Sequence, residues 1–193
     1  MKKLLLLPLI AINLLATAQT TAIPDANFEQ ALINLGYDNV IDGGVLTANI
    51  NTVLSLAVSF KGISDLTGIE DFTALTYLAC HNNQLTFLNV SQNTYLTFLD
   101  CYNNQLTNLD VTQNTSLDSL VCSENQLTTI DVSQNTALTY LVFHYNQITN
   151  IDVSQNTALT YLYCHNNQLT DLDLSQNIAL QQVDFTNNLL TNL

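Results

Sequence analysis

The stretches YLACHNNQL (77–85) and YLYCHNNQL (161–169) differ at a single position. Each sets a cysteine beside a histidine, Cys80–His81 and Cys164–His165. Those residue types bind metals and carry thiol chemistry. The two histidines stand 84 residues apart, four times 21, so the pairs belong to a periodic series before they belong to any site.

From residue 75 the chain divides every 21 residues into LTYLACHNNQLTFLNVSQNTY, LTFLDCYNNQLTNLDVTQNTS, LDSLVCSENQLTTIDVSQNTA, LTYLVFHYNQITNIDVSQNTA and LTYLYCHNNQLTDLDLSQNIA. A sixth copy, LQQVDFTNNLLTNL, runs for fourteen residues to Leu193, and VLSLAVSFKGISDL (53–66) begins a degenerate copy one residue longer. Numbered from its first leucine, each copy is apolar at positions 1, 4, 6, 11, 14 and 16. Positions 4 and 6 alternate with 3, 5 and 7, the period-two pattern of a strand with one face inward. One copy buries too little apolar surface to offset the entropy of ordering its backbone. Copies must therefore stack, each completing the core of its neighbours.

The spacing L-x-x-L-x-L-x-x-N-x-L, with Cys or Phe accepted at the third apolar place, resembles the leucine-rich repeat signature over residues 53–193. The segment ISDLTGIEDFTALTYL (63–78) is similar to ranks of bacterial surface leucine-rich proteins such as internalins. The resemblance implies a solenoid with a curved parallel β-sheet and little helix in the repeats. It also implies a structural ladder of Asn83, Asn104, Asn125, Asn146 and Asn167 at position 9, each amide satisfying turn backbone in its own rank and the next. A second ladder is expected from Asn93, Asn114, Asn135, Asn156 and Asn177 at the far turn.

The alternation answers the question raised by the Cys–His pairs. Cysteine at position 6 faces in and histidine at position 7 faces out, so neighbours in sequence cannot share a ligand. Cys80, Cys101, Cys122 and Cys164 all take position 6, where Phe143 and Phe185 stand in other copies. An even cysteine count in an exported chain allows a disulfide or zinc array. In-register parallel neighbours, however, point the same way, which favours free buried thiols. Asp110, Asp131, Asp152 and Asp173 share position 15 and are expected along the convex side, either as a solvated ladder or as calcium ligands. The solvated ladder is the simpler reading, because the glycine-rich nonapeptide of calcium-binding solenoids is absent.

Positions 3, 5 and 7 are the outward residues of the concave sheet. They collect Tyr77, Phe98, Tyr140, Tyr161 and Tyr163 with His81, Tyr102, His144 and His165, and Tyr145 at position 8 edges the same face. Aromatics favour any strand. A cluster of them on a solvent-facing sheet also makes a candidate binding face, since tyrosine combines wide apolar area with a polar tip. A His144–His165 metal pair lacks an evident third ligand, so no metal site and no cofactor are expected.

Residues 1–18, MKKLLLLPLIAINLLATA, have a basic start, an apolar run and an Ala-x-Ala site, the pattern of a cleaved signal peptide. The run is shorter than the ~20 residues of a membrane span. No cysteine near the cut offers a lipid anchor, so export to the medium or the cell surface is expected, with no membrane insertion after cleavage. Residues 19–52 then form an N-terminal cap with one helix. IPDANFEQALINLGYD (23–38) carries Phe28, Ala31, Leu32 and Leu35 as one apolar stripe, a start at Pro24-Asp25 or an Asn27–Gln30 box, and Gly36 as its stop.

Without its first eighteen residues the chain sets Lys61 alone against sixteen carboxylates. That charge repels nucleic acid and anionic lipid, and no arginine exists to clamp a phosphate. No activated nucleophile or phosphate loop is present, so an enzyme is disfavoured. The expected function is a recognition or adhesion module holding a protein or glycan partner on the concave sheet. The alternative is a purely structural spacer. An uncovered last rank would also invite edge-to-edge self-association.

Overall fold

The computed structural model describes residues 19–191. The expected signal peptide (1–18) and Leu193 lie outside the described residues. Strands β3 (Ser55–Ala57), β4 (Tyr77–Ala79), β5 (Phe98–Asp100), β6 (Ser119–Val121), β7 (Tyr140–Val142), β8 (Tyr161–Tyr163) and β9 (Gln182–Asp184) form one parallel sheet in chain order. Each strand covers positions 3–5 of its copy, and the register advances one copy per strand, as in Leu78↔Leu99 and Leu141↔Leu162. This is a leucine-rich repeat solenoid. The hydrogen-bond ladder continues past the strands, with the position 6 amide of Cys80 donating to the Asp100 carbonyl and the Asn82 amide to Tyr102.

The six apolar positions are the core. In the third full copy, Leu117, Leu120, Cys122, Leu127, Ile130 and Val132 are all buried. Across the copies these side chains form one continuous column from the cap to Leu172. Fully burying an aliphatic side chain stabilises by roughly 1.5–3 kcal/mol, which is how each rank supports the next.

Both asparagine ladders carry hydrogen bonds between ranks. Asn104 Oδ1 accepts from the Leu85 amide, while its Nδ2 donates to the Cys80 and Cys101 carbonyls. Asn125, Asn146 and Asn167 repeat the arrangement one rank at a time. At the far turn, Asn114 Nδ2 donates to the Val90 and Asn93 carbonyls. The residue before each position 9 asparagine adopts a left-handed backbone: Asn82, Asn103, Glu124, Tyr145, Asn166 and Asn187 have φ between 50° and 56°.

The cap is richer than one helix. Strand β1 (Thr20–Ala22) pairs antiparallel with β2 (Gly44–Leu46), and a single turn, α2 (Thr47–Ile50), follows. Helix α1 spans Ala26–Asn34, with Asp25 as N-cap accepting from the Asn27 and Phe28 amides. The alternative Asn27–Gln30 box does not form: Asn27 donates to the Gly62 carbonyl and Gln30 to Asn34. The second carboxylate oxygen of Asp25 accepts from Ser64 and Asp65, so one side chain both starts the helix and ties it to the first rank. Phe28, Ala31 and Leu32 are buried, but Leu35 is the C-cap residue and remains exposed, a correction to the stripe. Gly36, at φ 83°, ends the helix as expected.

Pairing along the sequence did not reveal the role of Glu29. It is buried, and its Oε1 accepts from the amides of Asp42, Gly43 and Gly44 at 2.8–3.0 Å. One carboxylate thus satisfies the turn that leads into β2.

Candidate binding face

The outward positions of the sheet carry two aromatic clusters. In the first, Tyr77 and Phe98 stack nearly parallel, with centroids 4.5 Å apart and planes at 7°. His81 meets Phe60 edge-on at 5.1 Å and lies 6.3 Å from Tyr102. In the second, Tyr140 contacts Tyr161 at 5.8 Å and Tyr163 at 6.1 Å. His144 and His165 stack at 4.4 Å, and Tyr145 presents its ring to both. These contacts join positions 3, 5, 7 and 8 of successive copies, which parallel in-register strands ~4.8 Å apart bring into reach.

The two clusters are not continuous. Between them, the third full copy presents Ser119, Val121 and Ser123, a low band between Phe98, Asp100 and Tyr102 on one side and Tyr140, Val142 and His144 on the other. Facing outward does not ensure exposure: Ala79, Val142 and Ser123 are buried by their neighbours. The Ser123 hydroxyl has no hydrogen-bond partner within the described residues.

Three acids accompany the aromatics, and reading positions for aromatic residues alone passes over them. Asp100 and Asp184 occupy position 5, and each lies beside the position 7 histidine of the preceding copy. His81 Nε2 is 3.9 Å from Asp100, and His165 Nδ1 is 3.3 Å from Asp184. Their settings differ. Burial pushes the Asp100 carboxyl above its usual range, against the Tyr102 amide and His81, which pull it down. Asp184 is lowered, chiefly by the Thr186 amide and hydroxyl. Glu124, at position 8, acts on both walls of the low band: after burial, its charge raises the Tyr102 hydroxyl, and it partly offsets the lowering of His144 by burial and His165. The signal for these residues was their outward position, shared with the rings.

The thiols and the convex acids take no part in this face. Cys80, Cys101, Cys122 and Cys164 are free and fully buried. Burial pushes Cys122 and Cys164 up to about 12, and Cys80 and Cys101 upward as well. Asp110, Asp131, Asp152 and Asp173 are exposed, each accepting from the amide two residues on. The hydroxyl and amide of that Thr or Ser together lower their carboxyls, the hydroxyl foremost for Asp110 and Asp152 and the amide for Asp131 and Asp173. Among the described residues, no group of three or more His, Cys, Asp or Glu could hold a metal ion, and no helix is long and apolar enough to cross a membrane.

A family model described as Leucine Rich repeats (2 copies) matches residues 136–176. Internalin J of Listeria monocytogenes serotype 4b (strain F2365) is 44% identical over 71 residues, 37% of this chain and 8% of that protein. Among solved structures, the functional domain of InlJ from Listeria monocytogenes, which includes a cysteine ladder, is 36% identical. That comparison has a TM-score of 0.62 and covers 93% of this chain and 50% of that one. An internalin C2 from Listeria monocytogenes, 22% identical with a TM-score of 0.67 over 92% of both chains, shares the fold. This chain therefore spans half of the solved InlJ domain and a small part of the curated protein. With 21-residue ranks, an in-register parallel sheet and asparagine ladders, the chain is an internalin-like leucine-rich repeat protein.

Proposed function

We propose that this protein is an exported recognition or adhesion module that holds a protein partner on its concave sheet, and that it is not an enzyme. One observation carries the reading: aromatic and imidazole rings stack on one another across ranks on the side of the sheet away from the core. Large apolar rings on an open sheet gain from being covered, and tyrosine is a preferred residue for such contacts. Relatives of the internalin type support it, as they are typically protein-interaction modules. A spacer would need only the inward positions. A glycan is the second reading, favoured by the stacked Tyr77–Phe98 pair, whose Tyr77 ring stays exposed for packing against a sugar.

The test uses arrays of purified surface and secreted proteins, and of glycans, probed with the full chain. Tyr161→Ala with Tyr163→Ala is expected to abolish the signal of a cognate partner while the circular dichroism spectrum holds. Asp131→Ala, on the convex side, is expected to leave that signal unchanged. A convex substitution that abolished binding where the tyrosine pair did not would overturn the face. Export is tested by the intact mass of secreted material, expected to begin at Gln19.

A further inference from the structure

The low band across the third full copy has a composition of its own. Its walls are rings, its floor is small, and its charges are all negative. Phe98 and Tyr102 stand on one side and Tyr140 on the other, with the floor formed by Ser119 and Val121. Flanking strands two ranks apart leave roughly 10 Å between backbones. That is room for one planar group between rings, within the ~6 Å at which a cation is attracted to an aromatic face.

The charges are placed around that gap. Asp100 stands on the near wall, and its influence reaches the Tyr140 hydroxyl on the far wall, after burial and Tyr163. Glu124 acts on Tyr102 and His144 from the end of the same band. Lys61 is the only lysine or arginine in the described residues, and the whole chain carries −13. Among the described residues Asp100, half-buried, has only His81 beside it as a counter-charge. Glu124 also holds a left-handed backbone, φ 50°, where four other copies place asparagine. A longer acid at that position costs backbone strain and supplies a carboxylate.

Building on the concave-face reading, we propose that this band is the specificity slot of the module and receives a cationic side chain, arginine by preference, from the protein partner. Arginine fits better than lysine because its planar guanidinium stacks on rings while its five donors can serve both the acid on the wall and the acid at the end. Ser123 continues the same row, with its hydroxyl buried and without a hydrogen-bond partner among the described residues.

The probe is the peptide acetyl-Gly-Arg-Gly-Arg-Gly-amide, titrated into the full chain and read by tyrosine fluorescence and calorimetry. Its comparison is the same peptide with citrulline, which keeps the shape and loses the charge. Two double variants remove equal charge: Asp100→Asn with Glu124→Gln in the slot, and Asp131→Asn with Asp152→Asn on the convex side. The slot pair is expected to weaken binding by about ten-fold or more and the convex pair by less than about two-fold, with citrulline binding about ten-fold weaker. Ser119→Tyr fills the slot without changing charge and is expected to weaken the arginine peptide to the same extent. Equal losses from the two double variants, equal binding of citrulline, or no binding of the arginine peptide would each overturn the slot. The array experiment is read separately. A partner that still depends on Tyr161 and Tyr163 while the arginine peptide fails leaves the concave face standing and removes only its cationic specificity.

Discussion

The imidazoles of His144 and His165 lie face to face, 4.4 Å apart with 16° between their planes, two residues past the ends of the adjacent strands β7 and β8. The stack suits two neutral rings and opposes two charged ones. Burial lowers the pKa of His144 first and the His165 charge lowers it further, against smaller opposite effects of Glu124 and Asp184.

A pH dependence follows from that shift. The unfolded chain takes up a proton near 6.5, while folded His144 resists it until lower pH. The unfolded state thus binds more protons in that window, and stability rises with pH through it. The protein is expected to be at full stability above about 6.5 and to lose part of it as pH falls toward the folded value. Urea midpoints between pH 5 and 8 check this, and His144→Gln should flatten the slope. A midpoint that rises on acidification across that window would contradict the assignment.

The thiols are expected to be silent in the native state. All four are buried, and burial holds them as thiols at neutral pH. Labelling under non-reducing conditions should be slow for the folded protein and should reach four sites in denaturant, the number of cysteines. Rapid native labelling, or fewer sites after unfolding, would show oxidation or exposure that the structure does not contain.

Asn125→Ala should be among the more damaging single substitutions. It removes the acceptor of the Leu106 amide and the donor shared by the Cys101, Cys122 and Ser123 carbonyls, all in a buried setting. The expected loss is about 3 kcal/mol, because buried backbone groups are left without partners. Asp131→Ala removes only an exposed local bond to the Ser133 amide, and its urea midpoint should scarcely move.

Glu29→Ala should loosen the cap selectively. Three amides lose their common acceptor, at an expected cost of about 2–4 kcal/mol. Hydrogen exchange should accelerate at residues 42–46 before it does in the sheet. Glu29→Gln retains an amide oxygen and should fall between the two. Uniform acceleration along the whole chain would mean that the cap and the ranks unfold as one unit.

Glu124→Asn should stabilise the fold and impair the slot. Asparagine tolerates the left-handed backbone better, as the equivalent Asn82, Asn103, Asn166 and Asn187 illustrate, and the gain should be about 0.5–1 kcal/mol. The same change removes a carboxylate from the slot, so the arginine peptide should bind more weakly to a more stable protein. Moving both quantities in the same direction would separate Glu124 from recognition.

The sequence alone determined the ranks. A 21-residue period with apolar positions 1, 4, 6, 11, 14 and 16 admits one arrangement, because strand alternation sends Leu120 and Cys122 inward and Val121 outward whatever surrounds them. The same rule separated Cys80 from His81 and placed the tyrosines on one face. Tertiary structure decided what those outward residues meet. That His81 lies beside Asp100, that Glu124 acts on rings to either side, and that Ser123 is buried though it points outward depend on side chains about twenty residues apart. Their approach is set by rotamer, neighbour size and lost solvation, none of which a periodic pattern encodes. Glu29 shows the same limit in the cap, where a residue on a helical segment serves a loop thirteen to fifteen residues downstream. Apolar burial has a period that can be read along a chain, whereas the partner of a buried charge is fixed only when the chain closes around it.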